Sequence, residues 1–404
     1  MLLMYFNVSM TILDKTRKYA TREVFIGSFI YMYMKKFIYM DAASTTPLSK
    51  TVVEKMRPFF SQKYGNPGSP HALGEQASSA MTAAREQLAR AIGARAWELT
   101  FTSGGTEANN LAIQGIAAAH PERRKIIVSA LEHSSVWEVA LHLKAQGYEI
   151  LIAPVTCQGI VDYAFLEREI DKKTLLVSIM HVNNEIGTIQ DIARIGSLCR
   201  RKGAYFHTDA VQSFGKLALD VRKMHIDLLT ASAHKIGGPK GIGFLYVREN
   251  IRVEPIIRGG GQERGVRGGT ENVAGIVGFA SAYTGMQRLN FAHIRKSRDA
   301  LLKELEALGG TLNGAREERI HTNINLSFAG VDAEMLVAKL SHSGIYCSTR
   351  SACLSKQKKE NRVLRAIGLN KEQAESSVRL TLCRPLSSSE HHFVVRTFGR
   401  FLNR

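Results

Sequence analysis

The chain has 404 residues, 45% of them hydrophobic, enough to bury a sizeable core and to form two domains or one large domain with a satellite. Its 54 Lys and Arg against 36 Asp and Glu give a formal charge of +18, so the surface attracts acidic partners without choosing among proteins, RNA and membranes. The five cysteines (Cys157, Cys199, Cys347, Cys353 and Cys383) form no CxxC pair, which argues against a disulfide framework or a zinc site and fits a reducing cytoplasm.

Residues 1–33 are apolar, aromatic and basic without a clean period. Lys15, Arg17, Lys18, Arg22 and Glu23 break the apolar runs before either can span a bilayer, and no cleavage site follows a proper apolar stretch. This segment reads as an upstream extension, with Met34-Lys35-Lys36-Phe37 as a natural start, and no membrane role is expected.

The spacing of Ala77, Ala80, Met81, Ala84, Leu88, Ala91 and Ile92 predicts an amphipathic helix over 75–92, stopped by Gly93. Short apolar runs then read as buried strands: 126–129, 149–155, 175–182, 205–208, 228–232 and 243–247. Helix-length segments at 134–146, 165–171 and 192–202 separate them, so βαβ units and a mostly parallel sheet are expected to about residue 289. A polar helix over 291–307, a strand over 323–328 and a helix over 333–341 resemble an α+β satellite. The domains expected are a large one over 49–289 and a small one made of 34–48 and 290–404, packed together without a flexible linker.

In an open parallel sheet, ligands bind beyond the carboxyl ends of the strands, and the chemistry-bearing residues cluster at those ends. Thr102-Ser103-Gly104-Gly105-Thr106-Glu107 joins a strand to a helix and offers backbone N–H groups to a phosphate, although a plain capped turn explains the same residues. Lys235 follows a buried strand and enters a Gly/Pro turn, where desolvation can make its amine nucleophilic; a surface loop lysine is the alternative. Asp209 ends the preceding strand and suits the carboxylate that a pyridoxal phosphate (PLP) enzyme places against the pyridine nitrogen. His133 can lie on such a ring and relay protons near neutral pH, and Asn184 can donate to the ring oxygen or simply cap a turn.

These segments together resemble the cysteine desulfurases, the sulfur-mobilising branch of the class V aminotransferase family of fold type I. The likeness runs from Tyr39-Met40-Asp41-Ala42-Ala43-Ser44-Thr45-Thr46-Pro47 to about Leu386 and includes Tyr64-Gly65-Asn66-Pro67, the TSGGTE, HVNNEIG, DAVQS and SAHK segments, Arg258-Gly259-Gly260-Gly261-Gln262-Glu263 and Ser351-Ala352-Cys353. It implies a seven-stranded large domain and PLP held by Lys235. Asp209 would face the pyridine nitrogen, Gln212 and Asn184 the phenolic oxygen, and His133 the ring face. Gly105, Thr106, Ser232 and His234 would hold the phosphate, joined by Thr270 from the second subunit of a homodimer. Arg379 and Asn66 would hold the L-cysteine substrate, Arg379 because a guanidinium fork binds a carboxylate by two parallel hydrogen bonds; a salt-bridged structural arginine is the alternative.

The resemblance also makes Cys353 the nucleophile that takes sulfur as a persulfide, leaving L-alanine. Arg350, Lys356, Lys358 and Lys359 would favour its thiolate, and the polar composition from Cys347 to Arg362 predicts a mobile carrier loop. The chain departs from many relatives in Ser348-Thr349-Arg350 and in Leu354-Ser355-Lys356-Gln357-Lys358-Lys359-Glu360-Asn361, which leans toward sulfur supply for tRNA thiolation over iron–sulfur assembly. The expected acceptor is a protein; direct DNA binding is not expected, and interleaved aromatics for RNA are lacking. The competing readings are a selenocysteine lyase, an aminotransferase, which has no use for Cys353, and a non-catalytic scaffold that docks sulfur carriers.

Overall fold

The computed structural model describes residues 37–349 and 361–403. Among them the strands are β1 Ile38–Tyr39, β2 Leu99–Thr102, β3 Lys125–Ser129, β4 Glu149–Ala153, β5 Thr174–Ser178, β6 Tyr205–Asp209, β7 Leu228–Ser232, β8 Gly243–Val247, β9 Gly310–Leu312, β10 Asn323–Phe328, β11 Ile345–Tyr346 and β12 Ser377–Thr381. Seven of these form one sheet in the order β2-β8-β7-β6-β5-β3-β4. From β4 to β7 every neighbour is parallel; only β8 runs antiparallel, to both β7 and β2.

Continuous apolar strands follow from burial on both faces. In β3, Ile127 joins the core formed with Leu88, Phe206 and Phe279, while Ile126 and Val128 join Leu111, Ile116 and Val136 on the opposite face. Phe214, Phe244 and Phe279 pack on the first face with ring centroids 5.2–5.6 Å apart. A separate core gathers Ile38 and Met40 with Leu301, Ile324, Leu326, Phe328, Val378 and Phe398 around the antiparallel sheet β12-β10-β9 and the parallel pair β1-β11. In β10 the apolar residues alternate with Asn323 and Asn325, whose side-chain amides both donate to the Glu185 carbonyl at 3.1 Å and so bind the two cores together.

Several boundaries differ from the sequence expectation: the helix expected over 75–92 is Ala72–Arg90, the strand over 149–155 ends at Ala153, and the helix over 165–171 is Tyr163–Glu169; two further differences bear on the site. The strand expected over 175–182 stops at Ser178, and the Met180 amide donates to the Glu132 carboxylate at 2.8 Å, because β3 has already turned away toward His133. The helix expected to follow Thr102-Ser103-Gly104-Gly105-Thr106-Glu107 begins inside that segment, at Gly105, where an added Cβ would come within 2.7 Å of Val211 Cγ2. That close approach seats the helix start against the end of β6. No helix among the described residues is long and apolar enough to cross a membrane.

Candidate active site

Five strand ends converge on one cavity of about 170 Å³, lined by residues that follow β2 (Gly105, Thr106), β3 (His133), β5 (Met180, Asn184), β6 (Asp209, Gln212) and β7 (Ser232, His234, Lys235), with Arg379 on β12 closing it from the second core. Asn66 is not in this wall; its Oδ1 accepts from the Gly68 amide in an exposed turn. Thr270 is exposed and absent from the wall of its own chain. Cys353 lies outside the described residues, as does most of the segment expected to be a mobile loop.

Lys235 sits in the short turn Ala233–Lys235 directly after β7, and its ammonium donates to the carbonyls of Ala43 and Ser44 at 2.6 and 2.7 Å. The turn after β1 is therefore held against the carboxyl end of β7. Thr46 fastens it further, donating from Oγ1 to the His234 carbonyl at 2.8 Å and accepting from the Gly237 amide at 2.7 Å. Gln212 Nε2 donates to the Ala43 carbonyl at 3.0 Å.

Asp209 accepts from the Val211 amide at 2.9 Å through Oδ1 and from Asn109 Nδ2 at 2.8 Å through Oδ2. Asn109 Nδ2 also donates to Ser135 Oγ at 2.8 Å, and Ser135 Oγ lies 2.8 Å from His133 Nδ1. The direction of each bond follows from the carboxylate, which only accepts. Both Asn109 hydrogens are then used, the Ser135 hydroxyl hydrogen is left for His133 Nδ1, and a neutral His133 carries its proton on Nε2. Burial lowers the His133 pKa, with Lys235 and Arg362 acting the same way and Asp209 opposing them. A neutral ring, poised to accept a proton, is what this environment favours.

Asn109 and Ser135 are the members that sequence reasoning missed. Asn109 stands four residues after Gly105, one helical turn along, so it faces the same way as the expected phosphate seat. That spacing was the available signal. Ser135, by contrast, is reached only through its contact with His133.

Glu132 is fully buried; Oε1 accepts from Ser129 Oγ at 2.5 Å and the Met180 amide at 2.8 Å, while Oε2 has no partner. Burial pushes its pKa up to about 8, Asp209 adding to the rise. Arg362 stacks 4.0 Å from the Trp137 ring centroid and donates to the Ala130 and Glu132 carbonyls, gripping the turn that aims His133. At the other end of the cavity Glu107 accepts from Arg267 Nε at 2.9 Å and the Ser103 amide at 2.8 Å. Burial alone would raise its pKa, but Arg267 and Ser103 outweigh it and hold it below the ordinary value.

Arg379 is 1% exposed. Its Nη2 donates to Asp41 Oδ1 and Ser44 Oγ, both at 2.7 Å, its Nη1 to the Asn184 carbonyl at 3.1 Å, and its buried Nε has no partner. It is thus salt-bridged and cavity-facing at once.

A helix start without earlier carbonyls, a lysine after a strand and a buried carboxylate across from it suit a phosphorylated, pyridine-bearing cofactor in charge and in donor type. The aminotransferase class-V family model matches residues 38–385. The chain belongs to the class-V aminotransferase family. This class-V chain is 42% identical over 378 residues to the cysteine desulfurase IscS of Dictyoglomus turgidum, covering 92% of this chain and 96% of that protein. It is 43% identical over 364 residues to the cysteine desulfurase IscS of Methanosarcina thermophila, covering 88% and 89%. A solved NifS-like protein superposes with a TM-score of 0.86 at 35% identity, over 91% of this chain and all of the other. The structure of SspA in complex with cysteine superposes at 0.79 with 35% identity, over 87% of this chain. The fold is PLP fold type I, as its family and neighbours share.

Proposed function

We infer that this class-V chain is a PLP-dependent cysteine desulfurase that converts L-cysteine to L-alanine and hands the sulfur to an acceptor protein. One observation carries the reading: identity of about 40% to cysteine desulfurases along nearly the whole chain, with Lys235, Asp209 and His133 gathered in one cavity.

Bound PLP supplies an electron sink for the substrate α-carbon. Asp209, fixed by Val211 and Asn109, would hold the pyridine nitrogen, Gly105, Thr106, Ser232 and His234 would hold the phosphate, and Gln212 and Asn184 would hold the ring oxygen. His133 covers the ring and exchanges a proton at Nε2. Lys235 Nζ anchors the cofactor and then moves the α-proton. Arg379 takes the substrate carboxylate through the Nη1 hydrogen that the Asn184 carbonyl leaves free, and Asn66, outside the cavity wall of this chain, is carried as a companion by the resemblance alone. Cys353 Sγ, as thiolate, bonds to the substrate sulfur while the Cβ–S bond breaks and leaves its electron pair on Cβ, giving a persulfide on Cys353 and a CH2 carbon that takes up a proton to become the methyl of alanine. None of the described cysteines suits that attack: none lines the cavity, and burial pushes Cys347 up to about 12.

The exposed Thr270, far from useful to its own chain, supports a homodimer in which it completes the partner subunit's phosphate site. Free thiols at Cys157, Cys199, Cys347 and Cys383 support a reducing compartment such as the cytoplasm. The acceptor belongs to iron–sulfur cluster assembly or tRNA thiolation.

The test measures alanine and sulfide from L-cysteine and a thiol reductant, alongside the visible cofactor spectrum. Equimolar products from the wild type and a yellow but inactive Cys353→Ala are expected. A yellow wild type that makes no alanine, or a fully active Cys353→Ala, overturns the reading.

A further inference from the structure

A second cavity, of about 370 Å³, lies behind the turn that carries Lys235, which forms part of both walls. It opens between the two cores, and its size falls within the roughly 300–1,000 Å³ typical of small-ligand sites. Most of the wall is apolar: Pro47, Leu48, Ile236, Met286, Phe291 and Leu382 contribute to it. No acidic side chain lines it among the described residues.

Two of the polar members, Lys216 and Thr381, make no side-chain hydrogen bond or ion pair among the described residues. Lys216 lies in this wall, and its ammonium makes no hydrogen bond or ion pair among the described residues. Burial and the charge of Lys235 lower its pKa to about 7, the signature of a cation short of a counter-charge. Thr381 is 3% exposed, and its Oγ1, also in the wall, has no hydrogen-bond partner. A buried unpaired hydroxyl and an ammonium without a counter-charge are each costly, and both line the same cavity, where a bound anion would offset the cost at the ammonium. Of the other cations in the wall, Lys235 donates to the Ala43 and Ser44 carbonyls, and Arg384 is held by Glu390 through bonds of 2.8 and 2.6 Å.

We propose that this cavity binds a small amphiphile with one anionic head and an apolar body, the head seated at Lys216 with the Thr381 hydroxyl as a further donor. An anion without an apolar body would leave the walls wet, and an apolar body without the anion would leave Lys216 unpaired. The class of ligand is therefore a short- or medium-chain carboxylate. The proposal stands apart from the desulfurase reading, since binding is measured with no substrate present.

Calorimetric titration of octanoate into the cofactor-loaded full chain tests it, with octan-1-ol and octylamine as uncharged and cationic controls. Saturable 1:1 binding of octanoate is expected, about tenfold to a hundredfold tighter than octanol, the range a charge-assisted hydrogen bond supplies. Lys216→Met should abolish that preference. Gly285 lines the same cavity, and a Cβ there meets nothing within 4 Å, so Gly285→Phe has room to fold and should weaken every ligand by taking up the space. Melting temperature and cofactor absorbance establish that each variant is folded; if Lys216→Met does not fold, Gly285→Phe decides. Equal affinity for octanoate and octanol, octanoate affinity unchanged in either folded variant, or no saturable binding overturns the proposal.

Discussion

Arg379 and Asp41 meet at 2.7 Å, so the arginine that lines the cavity already holds a carboxylate on Nη2. The pair joins β12 to the turn after β1, and Ser44 shares the same nitrogen at 2.7 Å. Both Nη2 hydrogens are thereby committed, and the plane of the guanidinium is fixed.

Replacing Arg379 by lysine keeps the charge and loses the planar fork. A fall in kcat/KM of about tenfold to a hundredfold, carried mainly by a higher KM, is expected in steady-state alanine formation. Asp41→Asn should give a smaller change in the same direction. An unaltered KM in Arg379→Lys would mean that the arginine is structural only.

Asn109 feeds Asp209 and Ser135 from one amide nitrogen, 2.8 Å to each. Asn109→Leu should therefore loosen the cofactor and leave the KM for cysteine nearly unchanged once PLP is saturating. Losing one hydrogen bond to a charged group corresponds to about a tenfold to hundredfold weaker PLP affinity. Titrating PLP into the apo variant, followed by absorbance, measures it; wild-type affinity would refute the link.

Arg362 grips the carbonyls of Ala130 and Glu132 from one side and lies on Trp137. Arg362→Leu removes the grip on the turn that aims His133. Normal cofactor loading with kcat lower by on the order of tenfold to a hundredfold is expected, as for a misplaced catalytic group. Trp137→Leu should show a milder form of the same defect. A variant that turns over at the wild-type rate would show the contact to be incidental.

The pH dependence of stability has two limbs. His181, His207, His234 and His321 are held at about 4, 3, 4 and 4 by burial, against 6.5 unfolded. The folded chain binds fewer protons between those values, so their contribution is complete above about pH 6.5 and is lost as pH falls toward 4. Glu132 works in the opposite sense. Its folded pKa of about 8 against 4.5 makes its contribution complete below 4.5 and lost as pH rises through 8. Thermal melts of wild type and Glu132→Gln should therefore shift in the variant's favour between pH 6 and pH 9, since the glutamine cannot ionise. A gap constant over that range would show that Glu132 is already ionised at pH 6.

Much of the architecture was legible because apolar runs of four to eight residues between amphipathic helices allow little other than a parallel α/β sheet. The strands 228–232, 243–247 and 323–328 and the helices 192–202 and 291–307 stand where the patterning puts them. The antiparallel course of β8 was not legible, since a strand buried on both faces has the same composition in either direction. The order β2-β8-β7-β6-β5-β3-β4 likewise reflects pairings between residues far apart in sequence.

The chemistry divides in the same way. Lys235, Asp209 and His133 each follow a strand, and that local context, with the motifs around it, was enough to single them out. By itself the sequence determined which residue types end the strands, and hence the family and the kind of chemistry. Only the tertiary structure decided that Asn109 joins Asp209 to Ser135, that Asp41 occupies one edge of Arg379, that Arg362 braces the His133 turn and that Lys216 faces a second cavity. Each of these depends on a long-range contact between side chains, and local periodicity carries no record of which distant residue folding will bring within 3 Å.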